Sequence, residues 1–455
     1  MELLKGRIGI VGLGSSNYEL LKYLLEIEGY SPSKIFVSEN RALDENKRNF
    51  LEKNNIEYEE NLHSRKLFDC DSFAISPGIS PNSSIGRRIR ESGKFFATEQ
   101  EIALNILKKR NRGVLVGVTG TNGKSTTVTM LEHILRKKHD AVFAGGNLGI
   151  PLTTSLNKRI DFYAIEISSF QLSWFRKREP YLHVSALLNI EEDHLDYHLS
   201  FEEYIWSKMI LPEITEGYSI VRKEIIEKKT RLLSNAALSK VIEFSQGGGT
   251  FFDLENGNLR FHKMELPFNG FPLKETHNRE NASIAIALAY LIGINPLDSL
   301  QSLWDYKALE YRMTVVGTIN DVMFINDSKA TNAHAVVSAL KNFDPSRVVL
   351  ILGGLEKKES YNELLGKLFS LKRIIIMGSS MKSLRRKLEE YRIPFINVSN
   401  MEEAVNRAYG EITRGDVVLF SPGGSSYDIY DNYKHRGDDF TEKVRYLKDR
   451  AENND

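Results

Sequence analysis

A glycine loop followed by lysine and serine is the first group of residues in this chain that could do chemistry. Residues 119–126 read Thr-Gly-Thr-Asn-Gly-Lys-Ser-Thr, after an apolar run and before a helical pattern. Glycines in such a loop let backbone N–H groups turn toward phosphate oxygens, and the helix N-terminus adds partial positive charge. Lys124 would reach the terminal phosphates and Ser125 would ligate Mg²⁺. Val118 stands where the strict Walker pattern has glycine, but strand, loop and helix together predict a nucleotide-phosphate site.

Two further strand ends carry potential metal ligands. Glu166 alternates with apolar neighbours, and a buried carboxylate is costly unless a cation pairs with it; Mg²⁺ is one candidate partner and a Lys or Arg the other. The next strand, 185–190, runs into Glu-Glu-Asp-His-Leu-Asp, where His194 could bind a second metal, orient an acyl phosphate or be purely structural. Lys208 lies in an amphipathic pattern over 201–211 and by itself is an ordinary helix lysine.

The N-terminal residues hold a second glycine motif. Residues 8–17 read Ile-Gly-Ile-Val-Gly-Leu-Gly-Ser-Ser-Asn, a strand leading into G-x-G, with Asn17 where a dinucleotide fingerprint has its third glycine. After the next strand, Glu39 could hold a ribose and Arg41 could meet a phosphate. We interpret the motif as a nucleotide-diphosphate site, with NAD as the alternative, and expect the turn at 76–81 to line the same crevice.

Three polar sets follow strand patterns in the last third of the chain. They lie at 326–332, 353–357 and 421–426, and ordinary turns would explain any one of them. Carboxyl ends of parallel strands meet at one edge of a sheet, so the three sets should lie together. Their hydroxyls, backbone N–H groups and cations suit a small anionic substrate such as an amino acid.

The elements that position these residues are short β-branched runs alternating with helical patterns such as that from Tyr18 to Glu28. This alternation predicts parallel sheets with crossover helices. We predict three α/β domains: an N-terminal Rossmann-like domain over 1–97, a central P-loop mononucleotide-binding domain over 98–309, and a C-terminal Rossmann-like domain over 310–455. A polar stretch at 228–258 predicts loops or a small antiparallel insertion.

Composition limits the class of protein and its location. The chain has 61 Lys plus Arg against 60 Asp plus Glu, a net charge of +1, so we expect neither nucleic acid nor membrane as a partner. Its single cysteine, Cys70, cannot form an intramolecular disulfide, and the N-terminus lacks the pattern of a signal peptide. We therefore expect a cytoplasmic protein.

Together the motifs resemble the Mur ligase family, most closely its D-glutamate-adding members. The resemblance covers nearly the whole chain, and its specific motifs are TGTNGKST at 119–126, GGNLGIP at 145–151, EISSFQL at 166–172, NIEEDHLDYH at 189–198, HNRENA at 277–282, NDSKATN at 326–332 and SPGGSSYDIYDNY at 421–433. EISSFQL and the final motif distinguish these members from siblings that add other amino acids.

The resemblance implies roles for the residues at matching positions. The catalytic set would be Lys124, Asn147, His194 and Lys208. The ATP-binding set would be Gly120, Thr121, Asn122, Gly123, Lys124, Ser125, Thr126, Asn278, Asn281, Arg312 and Asp327. The substrate-binding set would be Ser15, Ser16, Glu39, Asn40, Arg41, Ser76, Pro77, Gly78, Ser168, Lys329, Thr331, Lys357, Ser426 and Tyr433. The metal ligands would be Ser125, Glu166, His194 and, if carbamylated, Lys208.

The implied activity is an ATP-dependent amide ligation that adds D-glutamate to UDP-N-acetylmuramoyl-L-alanine through an acyl phosphate, in cytoplasmic peptidoglycan precursor synthesis. ATP and two Mg²⁺ ions, with Mn²⁺ as a substitute, would be required, and we expect a monomer. The alternatives are a sibling ligase for another amino acid, an NAD-dependent oxidoreductase, which would leave the Lys124 loop idle, and a non-enzymatic nucleotide-binding regulator. The sequence departs from familiar family members at Tyr311, at 39–41 and at 423–426.

Overall fold

The chain contains three sheets, and helices lie between their strands. The computed structural model describes residues 4–111, 113–175, 179–261, 264–357 and 361–452. Two compact units form: Met1–Ile190 with Tyr197–Tyr306, and Glu191–Asp196 with Lys307–Asp455. The predicted α/β class is confirmed. Within the described ranges, each helix is too short or too polar to cross a lipid bilayer.

The first sheet belongs to the first unit and is entirely parallel, in the order β3-β2-β1-β4-β5. Its elements are β1 (Ile8–Val11), α1 (Ser15–Glu26), β2 (Ile35–Ser38), α2 (Glu45–Lys53), β3 (Glu57–Glu59), β4 (Ser72–Ile75), α3 (Ser84–Glu91), β5 (Phe95–Thr98) and α4 (Glu99–Lys109). β1, β2 and β4 are buried along their whole length, as expected of strands that helices cover on both faces. This is the predicted Rossmann-like arrangement.

The second sheet of the first unit has nine strands in the order β14-β13-β12-β11-β10-β9-β6-β8-β7. Its elements are β6 (Val114–Thr119), α5 (Lys124–Arg136), β7 (Val142–Gly146), β8 (Phe162–Glu166), α6 (Ser169–Leu172), β9 (Val184–Leu187), α7 (Phe201–Glu213), β10 (Ser219–Arg222), α8 (Lys223–Lys229), α9 (Asn235–Leu238), β11 (Val241–Ser245), β12 (Phe252–Glu255), β13 (Asn258–Phe261), β14 (Met264–Pro267), α10 (Thr276–Leu291) and α11 (Pro296–Ser302). The strands from β7 to β12 are parallel, and β13 and β14 add antiparallel hairpins at one edge.

The stretch at 228–258, predicted as loops or a small antiparallel insertion, instead contains the helix α9 and the strands β11 and β12, which pair in parallel. Antiparallel pairing begins only between β12 and β13, and it extends the central sheet. The loop between β11 and β12 is held by Asp253, whose carboxylate accepts hydrogen bonds from the N–H groups of Gly247 at 2.7 Å and Gly249 at 2.8 Å. A glycine loop that turns its amides inward forms a small anion-binding nest. Here the chain's own carboxylate occupies that nest, so the glycines serve to order the loop.

One hydrophobic core runs through both sheets of the first unit. It includes Leu20 of α1, Leu104 of α4 and Ile165 of β8, each fully buried. Leu152 and Leu156, in and just after a short 3₁₀ helix (Leu152–Ser155), belong to the same core. α4 thus joins the first sheet to the second through buried contacts.

The second unit carries a six-stranded sheet in the order β15-β16-β20-β17-β18-β19, parallel except for the pairing of β15 with β16. Its elements are β15 (Thr314–Ile319), β16 (Val322–Asn326), α12 (Ala333–Leu340), β17 (Val348–Gly353), α13 (Asn362–Leu368), β18 (Arg373–Met377), α14 (Lys382–Glu390), β19 (Ile396–Val398), α15 (Met401–Glu411), β20 (Val417–Gly423) and α16 (Tyr433–Glu452). Buried side chains pack on both faces of this sheet.

Candidate active site

The glycine loop joins β6 to α5 as the sequence predicts. Gly123 is the N-cap of α5 and has φ 83°, a backbone conformation that favours glycine. A Cβ at this position would lie 2.4 Å from Oδ1 of Asn281, so space as well as backbone conformation requires glycine. Gly123 makes no side-chain cap, so the partial positive charge of the helix N-terminus faces the loop.

Two lysines converge on one carbonyl oxygen of this loop. Nζ of Lys124 donates to the carbonyl oxygens of Gly120 at 2.9 Å and Thr121 at 2.7 Å. Nζ of Lys208 donates to the same Gly120 oxygen at 2.8 Å and lies 4.7 Å from the ring centroid of Tyr204. Lys208 is 1% exposed, so α7 places a buried cation beside the loop. The sequence by itself did not separate Lys208 from ordinary helix lysines.

The carboxylate of the candidate site belongs to Glu166, and Asn147 holds it. Glu166 pairs in register with Val118 on β6 and is 2% exposed. Nδ2 of Asn147 donates to Oε1 of Glu166 at 2.7 Å, and the Asn147 N–H donates to the Glu166 carbonyl oxygen at 2.9 Å. Oε2 of Glu166 is buried and has no hydrogen-bond partner among the described residues.

This orphaned oxygen fits a divalent cation, because a buried carboxylate oxygen without a partner is costly until a cation approaches it. Across the described ranges, three or more His, Cys, Asp or Glu side chains nowhere cluster closely enough to hold a metal by themselves. A cation at Glu166 would therefore need further oxygen ligands, such as the Ser125 hydroxyl and nucleotide phosphates.

Asn189 fixes the glycine loop and was missed as a site residue. Its Oδ1 accepts from the Asn122 N–H at 2.8 Å, and its Nδ2 donates to the Asn122 carbonyl oxygen at 3.1 Å. The Asn189 carbonyl oxygen accepts from the Thr121 N–H at 3.0 Å. The available sequence signal was its position at the end of β9, next to β6, at the head of the 189–198 motif.

Two residues predicted to bind ligands also have local structural partners. Ser168 caps α6 in a capping box: its Oγ accepts from the Gln171 N–H, and Oε1 of Gln171 accepts from the Ser168 N–H at 2.8 Å. This explains part of the EISSFQL motif as a helix start. Oδ1 of Asn281 accepts from the Thr127 hydroxyl at 3.3 Å, so α10 is fastened to α5 beside the loop.

At the first sheet, Glu39 connects the two predicted nucleotide loops. Its Oε2 accepts from the N–H of Leu13 at 2.8 Å, and its Oε1 accepts from the N–H of Asn40 at 2.9 Å. Glu39 therefore orders the glycine loop against the end of β2. The side chains of Ser15, Asn40 and Arg41 remain exposed at this edge.

Asn17 replaces the third glycine of the fingerprint with a set of hydrogen bonds. It is fully buried, and its Nδ2 lies within hydrogen-bond distance of the carbonyl oxygens of Val11, Gly12 and Ala74, at 3.2, 2.8 and 3.3 Å. A third glycine would permit close packing of helix on strand. The Asn17 amide instead fills that space and ties α1 to the ends of β1 and β4.

Aromatic residues of the central sheet's connections hold the turn after β4, which contains Ser76, Pro77 and Gly78. The Tyr197 hydroxyl donates to the Pro77 carbonyl oxygen at 2.9 Å, and Nε1 of Trp174 donates to the Ile79 carbonyl oxygen at 2.8 Å. Tyr197 stacks on Phe170 with ring centroids 3.8 Å apart. These contacts within the first unit bring the first sheet's loop to the motif at 166–198.

In the second unit, β16, β20 and β17 are neighbours, so the three polar sets meet at one sheet edge as predicted. Asp327 is at the centre of this edge. Its Oδ2 accepts from the Ser421 hydroxyl at 2.8 Å, and its Oδ1 accepts from the Met313 N–H at 3.3 Å. Burial raises the pKa of Asp327 to about 7, although the Ser421 hydrogen bond and the Arg312 charge oppose the rise.

Lys357 is held by a carboxylate in this unit. Its Nζ lies 2.8 Å from Oδ1 of Asp193, and Nδ2 of Asn332 donates to the other Asp193 oxygen at 3.0 Å. Burial works against ionisation of Asp193, but the charges of His194 and Lys357 outweigh it and bring the pKa to about 2. His194, the predicted ligand of a second metal, has φ 57° and an Nε2 atom 3.5 Å from Asp193.

The other residues predicted to bind the amino acid lie on the same loops, except Tyr433, which begins α16. Nζ of Lys329 is 3.9 Å from the ring centroid of Tyr433, a cation–π arrangement. Ser426 is buried, and Thr331 is partly exposed. Tyr311, one of the departures from the family, donates its hydroxyl to Oδ1 of Asp438 at 2.6 Å.

Arg436 ties together the loops after β16 and β20 and packs against the loop after β17, and no role was predicted for it from the sequence. It is fully buried, and its Nε and Nη2 donate to the hydroxyl and carbonyl oxygens of Ser328 at 3.1 and 2.8 Å. Its Nη1 donates to the Gly424 carbonyl oxygen at 2.9 Å, and a Cβ on Gly354 would approach Nη1 to 2.7 Å. Desolvation lowers the pKa of Arg436 to about 10.

Comparison with known proteins decides the family. Residues 7–85 match the MurD N-terminal domain, 118–289 the Mur ligase middle domain, and 311–424 the Mur ligase glutamate ligase domain. A UDP-N-acetylmuramoylalanine–D-glutamate ligase of Thermotoga sp. (strain RQ2) is 42% identical over 96% of this chain and 97% of its own length. The Thermotoga maritima ligase of the same name is 40% identical over 96% and 97%.

The chain belongs to the Mur ligase family. It is therefore a ligase, and the predicted resemblance to the D-glutamate-adding members is confirmed. Solved Mur ligases share the fold: the MurF ligase from Thermotoga maritima in complex with ADP has a TM-score of 0.61 at 15% identity, covering 98% of this chain and 96% of that one. A pseudomurein peptide ligase type C from Methanothermus fervidus has a TM-score of 0.59 at 18% identity, with 98% and 100% covered.

A cavity of about 730 Å³ opens in the second unit of this Mur ligase, beside the ends of β18 and β19. Its lining contains neutral Ser and Asn side chains and the carboxylates of Glu403 and Asp428, and none of the predicted acceptor residues. Carboxylates without a cation in the lining would repel an anionic amino acid, so this cavity does not suit such a substrate.

Proposed function

We propose that this chain joins D-glutamate to UDP-N-acetylmuramoyl-L-alanine, with conversion of ATP to ADP and phosphate, in peptidoglycan precursor synthesis. The observation that carries the proposal is 42% identity to a curated ligase of that name across nearly the full length of both chains. The glycine loop, the carboxylate beside it and the cation-bearing sheet edge supply the parts that such a reaction needs. The cytoplasmic location and the monomeric state stay predictions.

ATP would bind with its phosphates on the loop and first helical turn of residues 120–126. The backbone N–H groups, Lys124 and the N-terminus of α5 supply positive charge there. Adenine would be read by Asn278 and Asn281, and ribose and phosphates would also contact Arg312 and Asp327. These four assignments rest on the family resemblance.

The metal would be held by Glu166 and Ser125, because the Glu166 Oε2 atom fits a cation. His194 would serve a second ion, and Lys208, if carbamylated, would supply a further metal ligand. A bound Mg²⁺, or Mn²⁺ in its place, would supply positive charge to the phosphate oxygens. Asn147 donates to the other Glu166 oxygen, Oε1, and so leaves Oε2 for the cation.

The reaction has two steps. The L-alanyl carboxylate of the UDP-sugar attacks the γ-phosphorus, the bond to the ADP oxygen breaks, and an acyl phosphate forms. The deprotonated amine of D-glutamate then attacks the acyl carbon, and phosphate leaves as the amide forms. Lys124 offsets charge on the phosphates, so the chain's contribution is mainly positioning and electrostatics.

The two organic substrates would bind at two sheet edges. The acceptor amino acid would contact the loops after β16, β17 and β20, through Lys329, Thr331, Lys357, Ser426 and Tyr433. Two lysines at this edge suit the two carboxylates of glutamate. The uridine diphosphate and muramoyl parts would contact Ser15, Ser16, Glu39, Asn40, Arg41, Ser76, Pro77, Gly78 and Ser168.

Phosphate release tests the proposal directly. The assay contains ATP, Mg²⁺ and UDP-N-acetylmuramoyl-L-alanine, and it compares D-glutamate with L-glutamate, L-alanine, L-lysine and diaminopimelate. We expect release that depends on D-glutamate and exceeds that with L-glutamate at least about 100-fold, since a misplaced amine loses the benefit of positioning. Release with another amino acid alone would make the chain a sibling ligase, and release with none would contradict the activity.

A further inference from the structure

The first turn of α4 buries polar side chains where the first sheet passes into the second. Thr98 caps the helix, with its Oγ1 accepting from the Glu101 N–H at 3.3 Å. Glu99 is 1% exposed and Gln100 is fully buried. Charged and amide side chains are seldom buried this deeply unless they make hydrogen bonds, so the partners of these two residues indicate what the turn does.

Gln100 contacts the residue that carries the candidate metal ligand. Its Nε2 donates to the carbonyl oxygen of Glu166 at 3.1 Å, the same oxygen that accepts from the Asn147 N–H. The opposite amide orientation would place two oxygens against each other, so this orientation is the favourable one. Gly146, with φ 82°, makes room: a Cβ there would lie 2.6 Å from Nε2 of Gln100.

Glu99 holds the other side of the same turn. Its Oε1 accepts from the Thr153 N–H at 2.7 Å. Thr153 belongs to the 3₁₀ helix that follows the 145–151 turn, which contains Asn147. The first turn of α4 therefore fastens the segment with Asn147 on one side and the end of β8 on the other.

We propose that Gln100 is a positioning residue for Glu166, and that through it α4 sets the place of the carboxylate that binds the metal. The inference rests on the proposed role of Glu166. Gln100 acts on the main chain of Glu166 and leaves its carboxylate oxygens to Asn147 and the cation. Without this donor the end of β8 would be held less firmly, and the carboxylate would be ordered only when the cation binds.

The test is the Mg²⁺ dependence of D-glutamate-dependent phosphate release by the full chain. Gln100→Leu replaces the amide donor by an apolar group of similar size. Gln100→Glu places a carboxylate oxygen where the amide donor was. We expect each to raise the Mg²⁺ concentration for half-maximal activity about 10-fold, the usual scale for residues that orient metal ligands. Asn105→Leu is the matched control, because Asn105 is a buried amide on the same helix that bonds Tyr181.

Binding of Mn²⁺ with ADP, followed by electron paramagnetic resonance, gives a readout that does not depend on turnover. Glu166→Gln should weaken this binding more than Gln100→Leu does, and the double variant should be no weaker than Glu166→Gln alone. If Glu166→Gln binds normally, the proposed metal role of Glu166 fails. If Glu166→Gln weakens binding but both Gln100 variants match Asn105→Leu, the positioning role alone is overturned.

Discussion

At the scale of single residues, positive charge is concentrated on one carbonyl of the glycine loop. Lys124 and Lys208 both donate to the Gly120 oxygen, and Lys208 does so while buried. Two ammonium groups beside one loop create a local field that favours a polyphosphate, although the whole chain has a net charge of only +1. The two lysines thus create a local field for an anion that the net charge of the chain does not provide.

Lys124→Ala should reduce the rate of ADP formation at saturating substrates by about 10³-fold or more, because the charge that stabilises the transferring phosphoryl group is lost. The measurement is ADP release in a coupled assay. Lys137→Ala is the control, since Lys137 follows the same helix and pairs with the exposed Asp305. Undiminished ADP formation by Lys124→Ala would remove this loop from the mechanism.

Asp193→Asn should destabilise the second unit at neutral pH. The folded-state pKa of Asp193, about 2, lies below the ordinary value of 3.8, so its contribution is present above pH 4 and is lost as pH falls toward 2. The difference in pKa corresponds to about 2 kcal/mol. Unfolding of wild type and Asp193→Asn at pH 7 and pH 3 should show a gap that shrinks in acid. A gap independent of pH would contradict this linkage.

At the scale of elements, α4 links the first sheet to the second with an ionisable group in its first turn. Burial raises the pKa of Glu99 to about 7, while the Thr153 N–H lowers it less. A raised folded-state pKa favours the folded protein at low pH, and that stability is lost between the unfolded value of 4.5 and about 7. The junction should therefore weaken as pH rises through this interval.

Glu99→Gln should raise the free energy of unfolding of the first unit by about 3 kcal/mol at pH 8 and change it little at pH 4.5. Glutamine keeps an oxygen for the Thr153 N–H and carries no charge to bury. The measurement is urea unfolding at both pH values. Glu132→Gln, which breaks an exposed pair with Arg136, serves as the control and should change stability by less than about 0.5 kcal/mol. Equal effects of Glu99→Gln at both pH values would rule out this titration.

At the scale of the whole molecule, the chain forms two compact units with separate buried cores. The first and second sheets share a core, whereas the third sheet packs its own faces. Each unit should therefore unfold with its own stability. Arg436 lies within the second unit and bonds only to groups of that unit among the contacts described above.

Arg436→Lys should lower the stability of the second unit by about 2 to 3 kcal/mol, because lysine cannot reproduce the fork of three hydrogen bonds and leaves buried acceptors unpaired. Hydrogen exchange followed by mass spectrometry should show faster exchange in 307–452 and unchanged exchange in 113–175. Arg407→Lys, at an exposed pair with Glu411, provides the matched control. Equal acceleration in both units would mean that their stabilities are coupled.

Local sequence signals were enough to predict the fold class, the location of the glycine loop and the sheet edges that carry the predicted site residues. Hydrophobic periodicity and turn residues are local signals, so the strand predicted over 185–190 is present as β9, over Val184–Leu187. The helix predicted from Tyr18 to Glu28 is α1, which begins at Ser15; its N-cap Gly14 offers no side chain to mark the start. The glycine loop was predicted from its motif, because residues so close in sequence stay close together in the folded chain.

Which distant side chains meet depends on how the sheets and helices pack. Lys357 and Asp193 are 164 residues apart, Arg436 and Ser328 108, and Gln100 and Glu166 66. No local pattern reports such pairs, because the same lysine, arginine or glutamine would have the same neighbours in sequence whether exposed or buried. A charged or amide side chain that becomes buried needs a hydrogen-bond partner, because leaving it unpaired is costly. The packing of the sheets decides which residue is close enough to be that partner.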